Sequence, residues 1–128
     1  MEFRVATADL GHGIFSVGVT GEVDLATAPE LKEALAQVIE SGARGVVVDL
    51  SEATFIDSTT LGVLMGATKR LRPAGGELAI ACREANIRRI FEITLLDRVF
   101  TIVDSVQEAV EHLDGRGAVG GDAVSPDR

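Results

Sequence analysis

The sequence contains no tryptophan and no tyrosine, and aromatic residues make up only 4% of its 128 residues. Hydrophobic residues still amount to 46%, so aliphatic side chains must form most of the core. No apolar run approaches the roughly 20 residues that a membrane-spanning helix needs. The N-terminus lacks the charged and then apolar pattern of a secretion signal. We therefore expect one globular domain with a single core and no membrane segment.

Cysteine and basic residues are also scarce. Cys82 is the only cysteine, which excludes an internal disulfide and is consistent with a reducing cytoplasm. Twelve Lys and Arg residues stand against 20 Asp and Glu residues, a net charge of −8. Such an acidic chain argues against a nucleic-acid or anionic-membrane partner and is compatible with a basic protein partner.

The hydrophobic spacing predicts strands that alternate with helices. Strands are predicted over Glu2–Leu10, Ile14–Thr20, Gly45–Leu50, Glu77–Cys82 and Val99–Val103. Helices are predicted around residues 27–41, 58–72, 87–91 and 105–113. Thr27 and Glu30 have the spacing of a capping box at the start of the first helix.

A Gly-His-Gly turn separates the first two strands and predicts an antiparallel hairpin. The later strands alternate with helices and are expected to pair in parallel. The predicted fold class is therefore α/β, a mixed sheet packed with about four helices. We expect one domain over residues 1–113 and a disordered, Gly-rich tail over residues 114–128, where no hydrophobic periodicity remains.

One stretch, FIDSTTLGVLMG at Phe55–Gly66, places a carboxylate before three successive hydroxyls. Asp57 precedes Ser58, Thr59 and Thr60, and apolar residues at helical spacing follow. In one interpretation Asp57 or Ser58 only caps the helix, an interaction worth about 0.5–2 kcal/mol. In the other the stretch is a modification site, because the unpaired N–H groups at a helix N-terminus tolerate a phosphate. The two interpretations are compatible.

Catalytic and metal-binding patterns are missing from the sequence. It has no G-x-x-x-x-G-K-[ST] phosphate loop and no G-x-S-x-G nucleophile motif. His12 and His112 are both distant from Ser58 in the sequence, and a serine nucleophile needs a base within hydrogen-bond reach. One cysteine and two histidines are too few for a metal site of the usual kind. We predict no enzymatic activity, no metal and no cofactor.

Asp49, late in a predicted strand, suggests the phosphoacceptor aspartate of response-regulator receivers. Those domains also need an acidic pair after the first strand and a lysine after a late strand. Here Asp9 stands alone, and Lys32 and Lys69 both fall on predicted helices. We therefore set this alternative aside.

The Phe55–Gly66 stretch resembles the phosphorylation motif of the bacterial anti-sigma factor antagonists, which are built on the STAS domain. Their pattern is apolar-Asp-Ser-[Ser/Thr]-Gly-Leu-Gly after a strand ending in Asp-Leu, here Val46–Leu50. The likeness continues in the G-E-x-D pattern of Gly21–Asp24, in Gly75-Gly76, and in the segment IRRIFEITLLDRVF. It covers about residues 3–113.

This resemblance implies a STAS fold and a partner switch in the cytoplasm. The unphosphorylated protein would bind an anti-sigma factor that is also a serine kinase, and binding would release the sigma factor. Phosphorylation of Ser58 would end the binding, and a phosphoserine phosphatase would restore it. The residues expected to contact the partner are Asp24, Asp57, Ser58, Thr59 and Thr60. Thr60 stands where the family usually has Gly, and its methyl group is expected to limit a partner's approach.

Two other functions remain open from the sequence. A stand-alone STAS subunit could dock on a transporter or a signalling complex without phospho-switching, and a small hydrolase could use Ser58 as its nucleophile. The intact Asp-Ser-Thr triplet favours the switch, because docking alone needs no exposed serine. The absence of a base near Ser58 in the sequence argues against the hydrolase.

Overall fold

A computed structural model describes residues 3–121, which form five strands and four α-helices. The strands are β1 (Arg4–Asp9), β2 (Ile14–Val23), β3 (Gly45–Ile56), β4 (Glu77–Ala81) and β5 (Thr101–Val103). The helices are α1 (Ala28–Glu40), α2 (Ser58–Leu71), α3 (Ala85–Ile93) and α4 (Val106–Gly121). Short 3₁₀ turns at Arg72–Ala74 and Leu96–Arg98 follow α2 and α3. The predicted α/β class is confirmed.

The five strands form one mixed sheet in the order β1-β2-β3-β4-β5. The β1–β2 hairpin is antiparallel, and every later pair is parallel. Each parallel connection contains a helix, since two parallel strands cannot be joined by a tight turn. The predicted hairpin and parallel units are therefore both present.

Helices cover both faces of the sheet, which explains the continuous apolar run in β3. Val46 and Val48 belong to the main core, which also holds buried side chains of α1, α2 and α3. Val47 points to the opposite face and packs in a smaller cluster with Ala109 and Leu113 of α4. All three valines are fully buried, as expected of a central strand with helices on both sides.

Strand β3 is longer than predicted and continues from Leu50 to Ile56. Its pairing with β4 stops at Asp49, and beyond this point β3 pairs with β2 alone, through to the pair Val23 and Ile56. The polar Ser-Glu-Ala-Thr sequence of the extension resembles a loop, and the pairing with β2 overrides that preference. The two strands therefore project together past the end of β4.

Helix α4 continues through Gly121, past the domain boundary predicted at residue 113. The remainder of the predicted tail, residues 122–128, lies outside the described residues. The boundary and the disorder of the tail stay predictions. Among residues 3–121, the helices are all too short or too polar to cross a membrane.

Candidate functional site

The ends of β2 and β3 lie side by side and bring two acidic residues to the same edge of the sheet. Val23 pairs with Ile56, so Asp24 and Asp57 each follow directly from a paired residue. The Thr60 hydroxyl lies 3.3 Å from the Val23 carbonyl oxygen and links the first turn of α2 to the end of β2. Asp24, Asp57 and the start of α2 therefore share one end of the sheet.

Asp57 is the N-cap of α2. Its Oδ1 accepts hydrogen bonds from the backbone N–H groups of Thr59 at 3.0 Å and Thr60 at 3.2 Å. The Thr60 hydroxyl reaches back to the Asp57 N–H at 3.4 Å, which completes a capping box. Of the two residues that the sequence offered as caps, Asp57 performs this role. Ser58 is exposed, and its side chain takes no part in the cap.

The three hydroxyls that follow Asp57 have different environments. Ser58 is exposed and Thr59 is half-buried, whereas the side chain of Thr60 is fully buried at 0% exposure. Thr60 turns inward because its hydroxyl bonds to both the cap and the end of β2. The expectation that Thr60 contacts a partner and limits its approach does not fit this burial.

Asp24 organises the loop between β2 and α1. Its Oδ1 accepts hydrogen bonds from the N–H groups of Ala26 at 3.0 Å and Thr27 at 3.1 Å. The Thr27 hydroxyl accepts from the Asp24 N–H at 2.9 Å and donates to the Glu22 carbonyl at 3.0 Å. The predicted capping box of Thr27 and Glu30 is therefore wrong: the hydroxyl of Thr27 faces back toward β2 and makes no cap bond in α1.

Two large apolar side chains at this end of the sheet are exposed, and neither was predicted from the sequence to belong to the site. Leu25, next to Asp24, is 76% exposed, and Phe55, two residues before Asp57, is 47% exposed. Phe55 pairs with Glu22 of β2. One sequence signal was available for Leu25, because it is an apolar residue in a loop outside the stripe of α1.

A groove of about 460 Å³ between α1 and α2 begins at Thr59. Its lining residues are Lys32, Leu35, Ala36, Ile39, Thr59, Gly62, Val63, Gly66, Ala67 and Arg70. Thr59 therefore lines this groove and is the immediate neighbour of the exposed Ser58. The groove is mostly apolar, and Lys32 and Arg70 are its two cationic lining residues.

Both histidines lie at the opposite end of the sheet from Ser58. His12 is in the turn before β2, and His112 Nε2 is 2.8 Å from Glu77 Oε2 at the start of β4. Glu77 is paired with Gly45, the first residue of β3. Ser58 lies two residues beyond the last residue of this 12-residue strand, whose length is about 35 Å at the usual rise per residue. Neither histidine is placed to act as a base for Ser58.

Asp49 has a structural role in a local contact within β3. Asp49 accepts a hydrogen bond from the Ser51 N–H at 3.0 Å and contacts the Ser51 hydroxyl. Lys32 and Lys69 lie on α1 and α2, so neither occupies the position after a late strand that a receiver domain needs.

Cys82 is buried, and this burial raises the pKa of its thiol. Among residues 3–121, no group of three or more His, Cys, Asp or Glu side chains is arranged to hold a metal ion.

Known proteins similar to this chain share most of its length. The family model described as the STAS domain matches residues 7–109. A protein of Listeria monocytogenes named anti-sigma-B factor antagonist is 42% identical over 106 residues, which cover 80% of this chain and 88% of that protein. A Staphylococcus aureus protein of the same name is 40% identical over 80 residues, 62% of this chain and 74% of that protein.

A solved structure extends the similarity to the fold. The crystal structure of an anti-sigma factor antagonist from Mycobacterium paratuberculosis superposes with a TM-score of 0.81 at 27% sequence identity. The superposition covers 88% of this chain and 95% of that chain. The match therefore includes nearly all of the sheet and helices described above.

Proposed function

This chain belongs to the STAS domain family and, within it, to the anti-sigma factor antagonists, and from that premise we propose that it is a phosphorylation-controlled partner switch. Its unphosphorylated form binds an anti-sigma factor that is also a serine kinase, and this binding frees a sigma factor. The kinase transfers the γ-phosphoryl group of ATP to Ser58 Oγ, which ends the binding. A phosphoserine phosphatase then restores the unmodified form. The protein acts in the cytoplasm and is not an enzyme.

The observation that carries this proposal is the separation of roles at the start of α2. Asp57 supplies the cap, so the hydroxyl of Ser58 is exposed and has no structural function that modification would destroy. Thr60 is fully buried, which makes its hydroxyl inaccessible to a kinase. Thr59 is half-buried beside the groove between α1 and α2. Ser58 is therefore the most accessible acceptor of the three.

A phosphate on Ser58 is expected to leave the fold intact. It adds a charge of about −1.5 to −2, which the N-terminus of α2 favours by about 0.3–1 kcal/mol. The nearby carboxylates of Asp24 and Asp57 oppose it. These opposing contributions are of similar size, and no buried side chain has to move because Ser58 is already exposed.

The effect of the phosphate on binding to the partner is much larger than its effect on the fold. Burying a dianion in an interface without compensating charges removes its hydration, a penalty of several kcal/mol. Moving an equilibrium from 99:1 to 1:99 takes about 5.5 kcal/mol, and lost hydration together with repulsion supplies that amount. We infer that the phosphate obstructs docking directly rather than by refolding the antagonist.

The test uses the purified chain, the serine-kinase anti-sigma factors of the source organism, and ATP. We expect peptide mass spectrometry to locate phosphate on Ser58 and calorimetry to show binding by the unmodified form only. Ser58→Ala should bind without being inactivated by ATP, and Ser58→Asp should bind at least tenfold more weakly. Thr59→Ala is the matched control and should be phosphorylated and released like the parent chain.

Phosphate on another residue, or equal binding by the modified and unmodified forms, would contradict the switch. The second result would favour the alternative of a STAS subunit that docks on a transporter or signalling complex without phospho-switching. The exposure of Ser58 beside an intact Asp57 cap favours the switch over that alternative.

A further inference from the structure

We propose that Leu25 and Phe55 are the apolar anchors of the interface with the anti-sigma factor, which receives them in an apolar pocket edged by basic side chains. The inference rests on the proposed function and specifies the chemistry of the partner's surface. Leu25 is the most exposed of the large apolar side chains among residues 3–115, at 76%. The pairing of β2 with β3 brings it to the same end of the sheet as Phe55.

The exposure of Phe55 follows from the way the helices cover the sheet. Its neighbour Ile56 is 1% exposed and packs in the main core, so Phe55 points to the opposite face of β3. The cluster beneath α4 on that face contains Val47 of β3, near the beginning of the strand. Helix α4 therefore leaves the end of β3 uncovered, and Phe55 is available to another protein.

The anchors lie among negative charges that the chain itself does not neutralise. Glu22, Asp24 and Asp57 all lie at the ends of β2 and β3. The four ion pairs of the described residues involve other acids, namely Asp114, Glu40, Asp104 and Glu77. An apolar centre among carboxylates that have no ion-pair partner in the described residues fits a partner with an apolar pocket and basic side chains at its rim.

This arrangement also explains why a phosphate on Ser58 would be effective. Ser58 begins α2 at the same end of the sheet as both anchors, so a partner seated on them would approach the exposed Ser58 hydroxyl. A phosphate placed there would lose its hydration, while the partner's basic side chains at the rim would already face Glu22 and Asp24. Central apolar contacts chiefly slow dissociation, whereas rim charges chiefly speed association.

The experiment measures association and dissociation rates by surface plasmon resonance with the purified anti-sigma factor that binds the unphosphorylated chain. Leu25→Ser and Phe55→Ser should each raise the Kd about 10- to 100-fold, mainly through faster dissociation. Ile93→Ser is the matched control, because Ile93 is similarly exposed at 72% but lies at the end of α3, and its Kd should stay within about twofold. Glu22→Gln should slow association and reduce its dependence on salt.

Phe55→Leu keeps an apolar side chain and should retain most of the affinity, which separates loss of the anchor from loss of folding. Unchanged Kd values for both serine variants, or an equal loss for Ile93→Ser, would overturn the inference while leaving the phospho-switch in place. If every purified anti-sigma factor failed to bind the unmodified chain, the proposed function would fail and this inference with it.

Discussion

Thr60 is the one hydroxyl of the Ser58–Thr60 triplet that lies inside the protein. Its side chain is fully buried, and its hydroxyl bonds to the end of β2 and to the cap of α2. A glycine at this position, as in the usual family pattern, would supply neither hydrogen bond. The side chain therefore contributes to the stability of the site, and its burial leaves it outside the proposed partner surface.

Replacing Thr60 by Gly should lower the free energy of unfolding by about 1–3 kcal/mol, because a buried hydrogen bond is lost and glycine weakens a helix. Urea denaturation followed by circular dichroism measures this loss. The affinity of the folded protein for its anti-sigma factor should stay within about twofold, since Thr60 has no exposed surface. A large gain or loss of affinity with unchanged stability would show that position 60 contacts the partner.

At the scale of the element, α2 carries two glycines that its own packing does not require. Gly62 and Gly66 are exposed in the helix interior, and a Cβ built on either would meet no atom within 4 Å apart from the helix's own neighbouring backbone. Gly76, before β4, is different, because a Cβ there would lie 3.0 Å from the Arg44 carbonyl oxygen and 3.1 Å from Leu71 Cδ2. Replacing glycine by alanine should therefore have opposite effects on stability in α2 and at Gly76.

Gly66→Ala should raise the free energy of unfolding by about 0.5–1 kcal/mol, because alanine restricts the unfolded chain and fits the open helix surface. Gly76→Ala is the matched control and should be destabilising, since its Cβ meets backbone that cannot move aside cheaply. The urea denaturation midpoints of the two variants, compared with that of the parent chain, test this prediction. A loss of stability in Gly66→Ala would mean that the groove between α1 and α2 is narrower than the structure shows.

At the scale of the whole molecule, residues 112–114 of α4 are attached at the end of the sheet opposite Ser58. Leu113 packs in the cluster beneath the helix. Arg44, directly before β3, donates to the Leu113 carbonyl at 3.4 Å and to Asp114 Oδ1 at 3.1 Å. His112 contacts Glu77 at the start of β4. These contacts of α4 and the proposed partner surface therefore lie at different ends of one sheet.

Leu113→Ala should lower the free energy of unfolding by about 2–5 kcal/mol, because Leu113 is 3% exposed and its truncation leaves a cavity. Val110→Ala, at a half-buried position on the same helix, should cost clearly less. Thermal unfolding measures both, and the fraction that remains folded should bind the anti-sigma factor as the parent chain does. Weakened binding by folded Leu113→Ala would place α4 in the partner surface.

The sequence by itself determined the fold class and the place of the candidate site. Hydrophobic spacing predicted alternating strands and helices, because a buried face must repeat with the period of its element. The Asp57-Ser58 pair could be identified as a helix start, because a cap is a local interaction between neighbours in the chain. Both depend on contacts a few residues apart, which a single sequence displays directly.

Only the tertiary structure decided how the residues of the site divide their roles. The polar residues after Leu50 become strand through pairing with β2, and the Thr27 hydroxyl turns to Glu22 instead of capping α1. Thr60 is buried and Phe55 is exposed because helices cover one face of the sheet at that end and leave the other face open. Pairing and burial of this kind join residues that are far apart in the chain, and no local pattern records them.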